Sequence, residues 1–325
     1  MSANTMGTSQ QEIFGGAPHA APATPGSYGL APSGFRLPSA IRLGPVRLQV
    51  GDLERSLAFY EEVLGLARLE REPARALLGS LAAEGLESAP LVELVERRGA
   101  RPAPGRGRTG LFHFALLLPD RPALARFVGH LGEIGARAGA GDHLVSEAFY
   151  LQDPDNLGIE VYADRPQSAW RRVGRELKMA TDPVDVAGLL ATAGDAPWQG
   201  MPAASVMGHV HLHVGDLEDA AAFYSEGLGF DRTVWDYPGA LFLSAGGYHH
   251  HLGTNLWAGA GATAPAADEA QLLEWTLDLP DPVALASAAA SLGQRGFGIE
   301  PSGTSLAVRD PWGTRLLLRA RGDRA

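Results

Sequence analysis

The sequence predicts an α+β chain built from four copies of one βαβββ unit, and three observations carry that expectation. The segments VGDLERSLAFYEEVLGL at 50–66 and VGDLEDAAAFYSEGLGF at 214–230 share eleven of seventeen residues. A weaker pair, LFHFALLLPDRPALARFVGHLGEIG at 111–135 and LLEWTLDLPDPVALASAAASLGQRG at 272–296, repeats the same layout. Behind each of the four runs stand short strand-like pieces, such as PLVELVE, GIEVYA, ALFLSAG and TRLLLRA.

Each element has a local cause. The unit opens on an alternating strand, PVRLQV in the first copy and HVHLHV in the third. An Asp then caps the helix, with an acidic residue in its first turn or a Pro at its start. An apolar face that includes Phe-Tyr follows in copies one and three, and a Gly stops the helix. The four units fall near 43–100, 110–165, 206–258 and 271–321. Between the second and third, residues 166–205 carry Trp170, a short helical stretch VDVAGLLATAG and Pro-Gly punctuation, which reads as a linker packed on the surface. Residues 1–42 are rich in Gly, Ala, Pro and Ser and read as a flexible tail. The domain expectation is therefore 1–42 tail, 43–165 units one and two, 166–205 linker and 206–321 units three and four.

Composition limits the function classes. The chain has 325 residues, 45% apolar, with 27 Lys and Arg against 37 Asp and Glu, a net charge of −10. No basic stripe is available to neutralise phosphates or an anionic membrane, so neither nucleic acid nor membrane is an expected partner. Cysteine is absent, so disulfides and thiolate–metal sites are excluded and any metal needs His, Asp, Glu or other oxygen ligands. No apolar run approaches a membrane span and the N-terminus lacks a secretory h-region, which makes the cytoplasm the expected compartment.

Four βαβββ units with a helix cap at a fixed place, and a DP turn before the last strand of units two and four, resemble the vicinal oxygen chelate superfamily over roughly 43–321. That superfamily includes glyoxalase I, the bleomycin- and fosfomycin-resistance proteins and the extradiol ring-cleaving dioxygenases. The resemblance implies that pairs of units curl into open β-cups, one of which holds a metal. It also implies a ligand on the first strand, seven residues before the capping Asp, and another on the last strand. Counting back gives Pro45, His113, His209 and Glu274 for the four units, with Glu160 on the last strand of unit two and Leu317 in the matching place of unit four. His113, His209 and Glu160 form the set able to bind a metal, and Pro45, Glu274 and Leu317 mark an empty cup. Two imidazoles and one carboxylate on one face suit non-haem Fe(II), with Mn(II) as the alternative.

The stretch GDHLVSEAFYLQDPDNLGIE at 141–160 resembles the extradiol dioxygenase signature through Gly141, His143, Phe149, Tyr150, Asp153, Pro154 and Glu160. Its departure is Asn156, where the pattern has Gly or Pro, and Asn tolerates the left-handed turn conformation. Unit three adds GGYHHHLGTNLW at 246–257, similar to a His-rich strand that such enzymes place opposite the signature. The resemblance sets His250 in the catalytic place, His249 beside it and His251 on the other face. It implies His250 as general acid, with Tyr150 and His143 hydrogen-bonding substrate oxygens. In the better-known two-domain extradiol enzymes the signature closes the last unit; here it closes the second. Units two and three must then share the active cup, as in the smaller catechol 2,3-dioxygenase (CatE-like) branch. The implied activity is Fe(II)-dependent extradiol cleavage of catechol or a substituted catechol with O₂ to a muconic semialdehyde, by an enzyme expected to be a homo-oligomer. A glyoxalase-like isomerase or lyase and a drug-sequestering binding protein are the rival readings of the same units.

Overall fold

The computed structural model describes residues 20–321. Unit one comprises β1 (Val46–Val50), α1 (Leu53–Glu62), β2 (Ala67–Glu72), β3 (Arg75–Gly79) and β4 (Pro90–Glu96). Unit two comprises β5 (Gly110–Leu117), α2 (Arg121–Glu133), β6 (Gly139–Asp142), β7 (Ser146–Gln152) and β8 (Gly158–Asp164). Unit three follows as β9 (Val206–His213), α3 (Leu217–Ala220, continuing as a π-helix over Ala221–Gly227), β10 (Asp231–Val234), β11 (Ala240–Ser244) and β12 (Leu252–Asn255). Unit four is β13 (Gln271–Leu279), α4 (Pro282–Gln294), β14 (Ile299–Ser302), β15 (Ser305–Arg309) and β16 (Arg315–Ala320). Asp52, Asp120, Asp216 and Asp281 cap the four helices by accepting backbone N–H bonds, as the repeat requires.

Units two and three share one sheet in the order β10-β11-β12-β9-β5-β8-β7-β6, and units one and four share the other, β14-β15-β16-β13-β1-β4-β3-β2. The first strands meet antiparallel at each centre: β5 lies against β9 with His113 opposite His211, and β1 lies against β13. Within a unit the last strand runs parallel to the first, β8 to β5 and β12 to β9. Each sheet therefore curls into an open cup whose two halves come from distant parts of the chain. This pairing brings β5, β8 and β9, the strands carrying His113, Glu160 and His209, side by side.

The repeated Phe-Tyr pair has a tertiary purpose. Tyr60 Oη donates to Asp153 Oδ2 at 3.1 Å and Tyr224 Oη donates to Asp310 Oδ2 at 2.9 Å, so each odd-numbered helix is tied to the DP turn of the unit after it. Asp153 also accepts the N–H groups of Asp155 and Leu157, which folds the turn that delivers Glu160. Burial pushes the Asp153 carboxyl up to about 6 against the pull of those bonds. Tyr60→Phe deletes one buried bond to a carboxyl group, and we expect it to lower unfolding free energy in urea by about 1.5–3 kcal/mol. An unchanged midpoint would remove this tie from the account.

The tail expectation fails for residues 20–42. Ala21–Pro22 pairs with Arg171–Val173, Tyr28, Leu37 and Ile41 are buried, and Arg36 holds Asp231 through two bonds of 2.7 and 2.5 Å. A few apolar anchors spaced without period are enough to dock a Gly- and Pro-rich segment once a groove is present, and composition conceals them. Residues 1–19 of the expected tail lie outside the described residues. In the segment read as a linker, Trp170, Leu177, Leu189 and Met201 are buried, and Trp170 and Leu177 join Tyr28 in a small separate core. Among the described residues no helix is long and apolar enough to cross a membrane.

Candidate metal centre

The residues expected as ligands converge. His113 Nε2 lies 3.3 Å from His209 Nε2. Glu160 Oε2 stands 3.0 Å from the first nitrogen and 3.1 Å from the second. Ligand atoms that each sit about 2.1 Å from one divalent ion at mutual right angles are about 3.0 Å apart, so the three spacings fit one face of an octahedron. All three side chains are buried, and this is the one cluster of at least three such donors among the described residues. Burial lowers the His113 pKa, favouring the neutral ring that a metal needs. For Glu160 burial opposes ionisation, but the charge of His209 and hydrogen bonds from His113 and His209 outweigh it and hold the carboxyl well below the ordinary range. Two neutral-capable imidazoles and one ionised carboxylate, with no thiolate, suit Fe(II) or Mn(II).

The second cup lacks such a set. Glu274 is paired with Arg315, and the strand opposite begins at Val46, after Pro45. Gly208, next to His209, is required by close approach: a Cβ there would fall 2.0 Å from the Tyr162 hydroxyl.

The signature hairpin places its polar groups as alternation requires. Tyr150 and Glu160 are directly opposite in the β7–β8 register. Tyr150 Oη lies 2.5 Å from His143 Nε2, and His143 Nδ1 lies 2.7 Å from the Ala180 carbonyl. Because a carbonyl only accepts, Nδ1 carries the hydrogen and the tyrosine donates to Nε2. Burial first, then the charge of Glu160, keep the Tyr150 phenol protonated by raising its pKa well above the ordinary value. Asn156 takes φ 64°, the left-handed conformation that lets Asn stand in for Gly at this turn.

The His run is not on a strand: it forms the connection between β11 and β12, which begins only at Leu252. His250 packs against His209 with ring centres 4.2 Å apart and the planes tilted by 46°, while His249 points to Asp164, with Nε2 2.8 Å from Oδ1. His251 turns to Ser244, its Nδ1 3.1 Å from Oγ, and burial pulls its pKa down to about 3. The three rings diverge because a turn, unlike a strand, need not alternate.

A cavity of about 220 Å³ lies over the triad. His113, His209, Glu160, His143, Tyr150 and His250 line it together with His211, Phe112, Trp257, Tyr237, Phe242 and the Met179–Thr181 segment. It is smaller than the ~300–1,000 Å³ of drug-sized pockets and suits a single ring. His249 is not among the lining residues. His211 was missed by sequence reasoning although it follows the expected ligand His209 by two residues on an alternating strand, which sends both to one face. Met179, Ala180 and Thr181 come from the segment read as a linker, and no local pattern marks them.

A family model described as the Glyoxalase/Bleomycin resistance protein/Dioxygenase superfamily matches residues 42–161 and 206–317. The catechol-2,3-dioxygenase of Bacillus subtilis (strain 168) is 45% identical over 273 residues, 83% of this chain and 93% of that protein. Among solved structures, one from Bacillus subtilis subsp. subtilis str. 168 described as a candidate dioxygenase aligns over 89% of this chain and 87% of its own, with a TM-score of 0.61 at 14% identity. Glyoxalase I from Zea mays aligns over 86% of this chain and 92% of its own, with a TM-score of 0.52 at 19% identity. The two structures share the fold, and the matched repeats together with the curated relative establish more: this chain belongs to the glyoxalase, bleomycin-resistance and dioxygenase superfamily.

Proposed function

We propose that this protein is an extradiol dioxygenase that opens catechol or a substituted catechol beside its two hydroxyls, using O₂ and Fe(II), to give a muconic semialdehyde. The observation that carries the reading is a facial His113–His209–Glu160 set beneath a one-ring cavity that His250, Tyr150 and His143 also line. The 45% identity with a catechol-2,3-dioxygenase over most of both chains supports it. Fe(II) held by these three residues would supply open neighbouring positions for the diol and O₂ and the electron transfer between them.

The side chains have separate tasks in this reading. Glu160, ionised and buried, and the two imidazoles would hold the metal, with the cavity side of the cluster left to substrate. The Phe112, Phe242 and Trp257 rings shelter that side from water and pack on the flat substrate. Tyr150 and His143 form one polar wall, with the phenol hydrogen directed to His143 until a substrate oxygen competes for it. His250, kept neutral by burial and by its histidine neighbours, takes a proton from the diol and returns one to oxygen later in the cycle. A glyoxalase-like reading gains no support from the cup, since the donor cluster has three members and no second carboxylate.

Oxygen uptake on adding catechol to anaerobically iron-loaded protein, with a yellow ring-fission product, is the expected result. Iron-replete protein that consumes no O₂ with any neutral catechol would overturn the proposal.

A further inference from the structure

The His run extends behind His250 into a buried chain of hydrogen bonds that the roles above do not use. His250 Nδ1 lies 2.7 Å from His249 Nδ1, and His249 Nε2 lies 2.8 Å from Asp164 Oδ1. The same Asp164 oxygen accepts from Tyr248 Oη at 3.2 Å, and Tyr248 Oη is 2.8 Å from Tyr162 Oη. Asp164 stands on β8 four residues after Glu160, an even step that keeps it on the ligand's face of the strand. His249 is fully buried, with the Trp170 ring packed against it at 5.4 Å between centres, whereas 27% of the Asp164 side chain is exposed. His249 itself does not line the cavity.

We propose that Asp164 and His249 are positioning residues for His250, together fixing which of its nitrogens carries the hydrogen. The inference rests on the role given to His250 in the proposed function. A carboxylate can only accept, so His249 Nε2 must carry its hydrogen. In a neutral ring His249 Nδ1 is then a bare acceptor, and the bond to it places the His250 hydrogen on Nδ1. His250 Nε2 is left without hydrogen for the cavity, the state needed to receive a substrate proton. The Tyr248 hydroxyl adds a second donor to the carboxylate oxygen and holds it in place.

The tautomers can be read without turnover. In full-length protein loaded with diamagnetic Zn(II) and labelled with [15N]histidine, long-range proton–nitrogen spectra should give His249 as the Nε2–H form and His250 as the Nδ1–H form, with His249→Gln assigning the signals. A doubly protonated His249, or His250 carrying hydrogen on Nε2, overturns the inference whatever the enzyme does. In Asp164→Leu the two patterns should mix, and kcat for catechol should fall by about 10-fold or more while KM and bound iron hold, the scale seen when an orienting partner is lost. Asp164→Asn keeps an acceptor oxygen and should recover kcat to within about threefold of wild type. Unchanged kcat in Asp164→Leu, or a loss in proportion to iron content, also overturns it. Absence of O₂ uptake by the wild type sinks the dioxygenase reading instead, and the tautomer spectra separate the two failures.

Discussion

Glu160→Ala and His209→Ala should each lower iron affinity by at least about tenfold, because loss of even an outer partner of a ligand costs that much. Oxygen uptake should fall in step. Glu160→Ala removes the single negative charge from a buried cluster in which Oε2 faces two imidazole nitrogens at 3.0 and 3.1 Å. What remains is a pair of histidines with no carboxylate to offset the charge of a divalent ion. His209→Ala breaks the set across the β5–β9 seam, where units two and three meet. Iron per chain, measured beside kcat and the thermal midpoint, checks the result. Variants that keep full iron occupancy would show that the metal is held elsewhere.

His250→Phe should behave differently, with iron retained and kcat reduced by about 10²-fold or more, the usual scale for a positioned acid–base group. Phe keeps the aromatic packing on His209, whose ring centre lies 4.2 Å away, but removes both nitrogens. His249→Phe breaks the link to Asp164 and should lie between wild type and His250→Phe. His251→Phe touches the Ser244 side of the loop and should alter stability more than turnover. Tyr150→Phe deletes one hydroxyl hydrogen bond to His143 and should cost less than His250→Phe. Full turnover in His250→Phe beside loss in His251→Phe would mean the roles within the run are misassigned, and three active variants would defeat the mechanism.

Much of this was legible in the chain itself, because repetition and alternation are local properties. The seventeen-residue repeat locates α1 and α3 through pleat period and helix capping, which neighbours in sequence decide. His113, His209, Tyr150 and Glu160 were singled out by what the resemblance to the vicinal oxygen chelate superfamily and its extradiol signature implies at that spacing. The interleaved pairing of units two with three and one with four was also implied, since the alternative would leave a metal with Pro45 in place of an imidazole.

Other features depend on contacts between distant segments. Residues 20–42 dock through scattered anchors such as Tyr28 and Leu37, and Met179–Thr181 close the cavity from a segment with no periodicity of its own. The run His249–His251 carries three chemically identical side chains, and alternation alone would have sent the outer two to one face. Only the turn between β11 and β12 sends one to the triad, one to Asp164 and one to Ser244. Identity and spacing determine which groups this protein owns, but the direction of a side chain in a turn is set by what packs against it, and those partners lie up to 85 residues away.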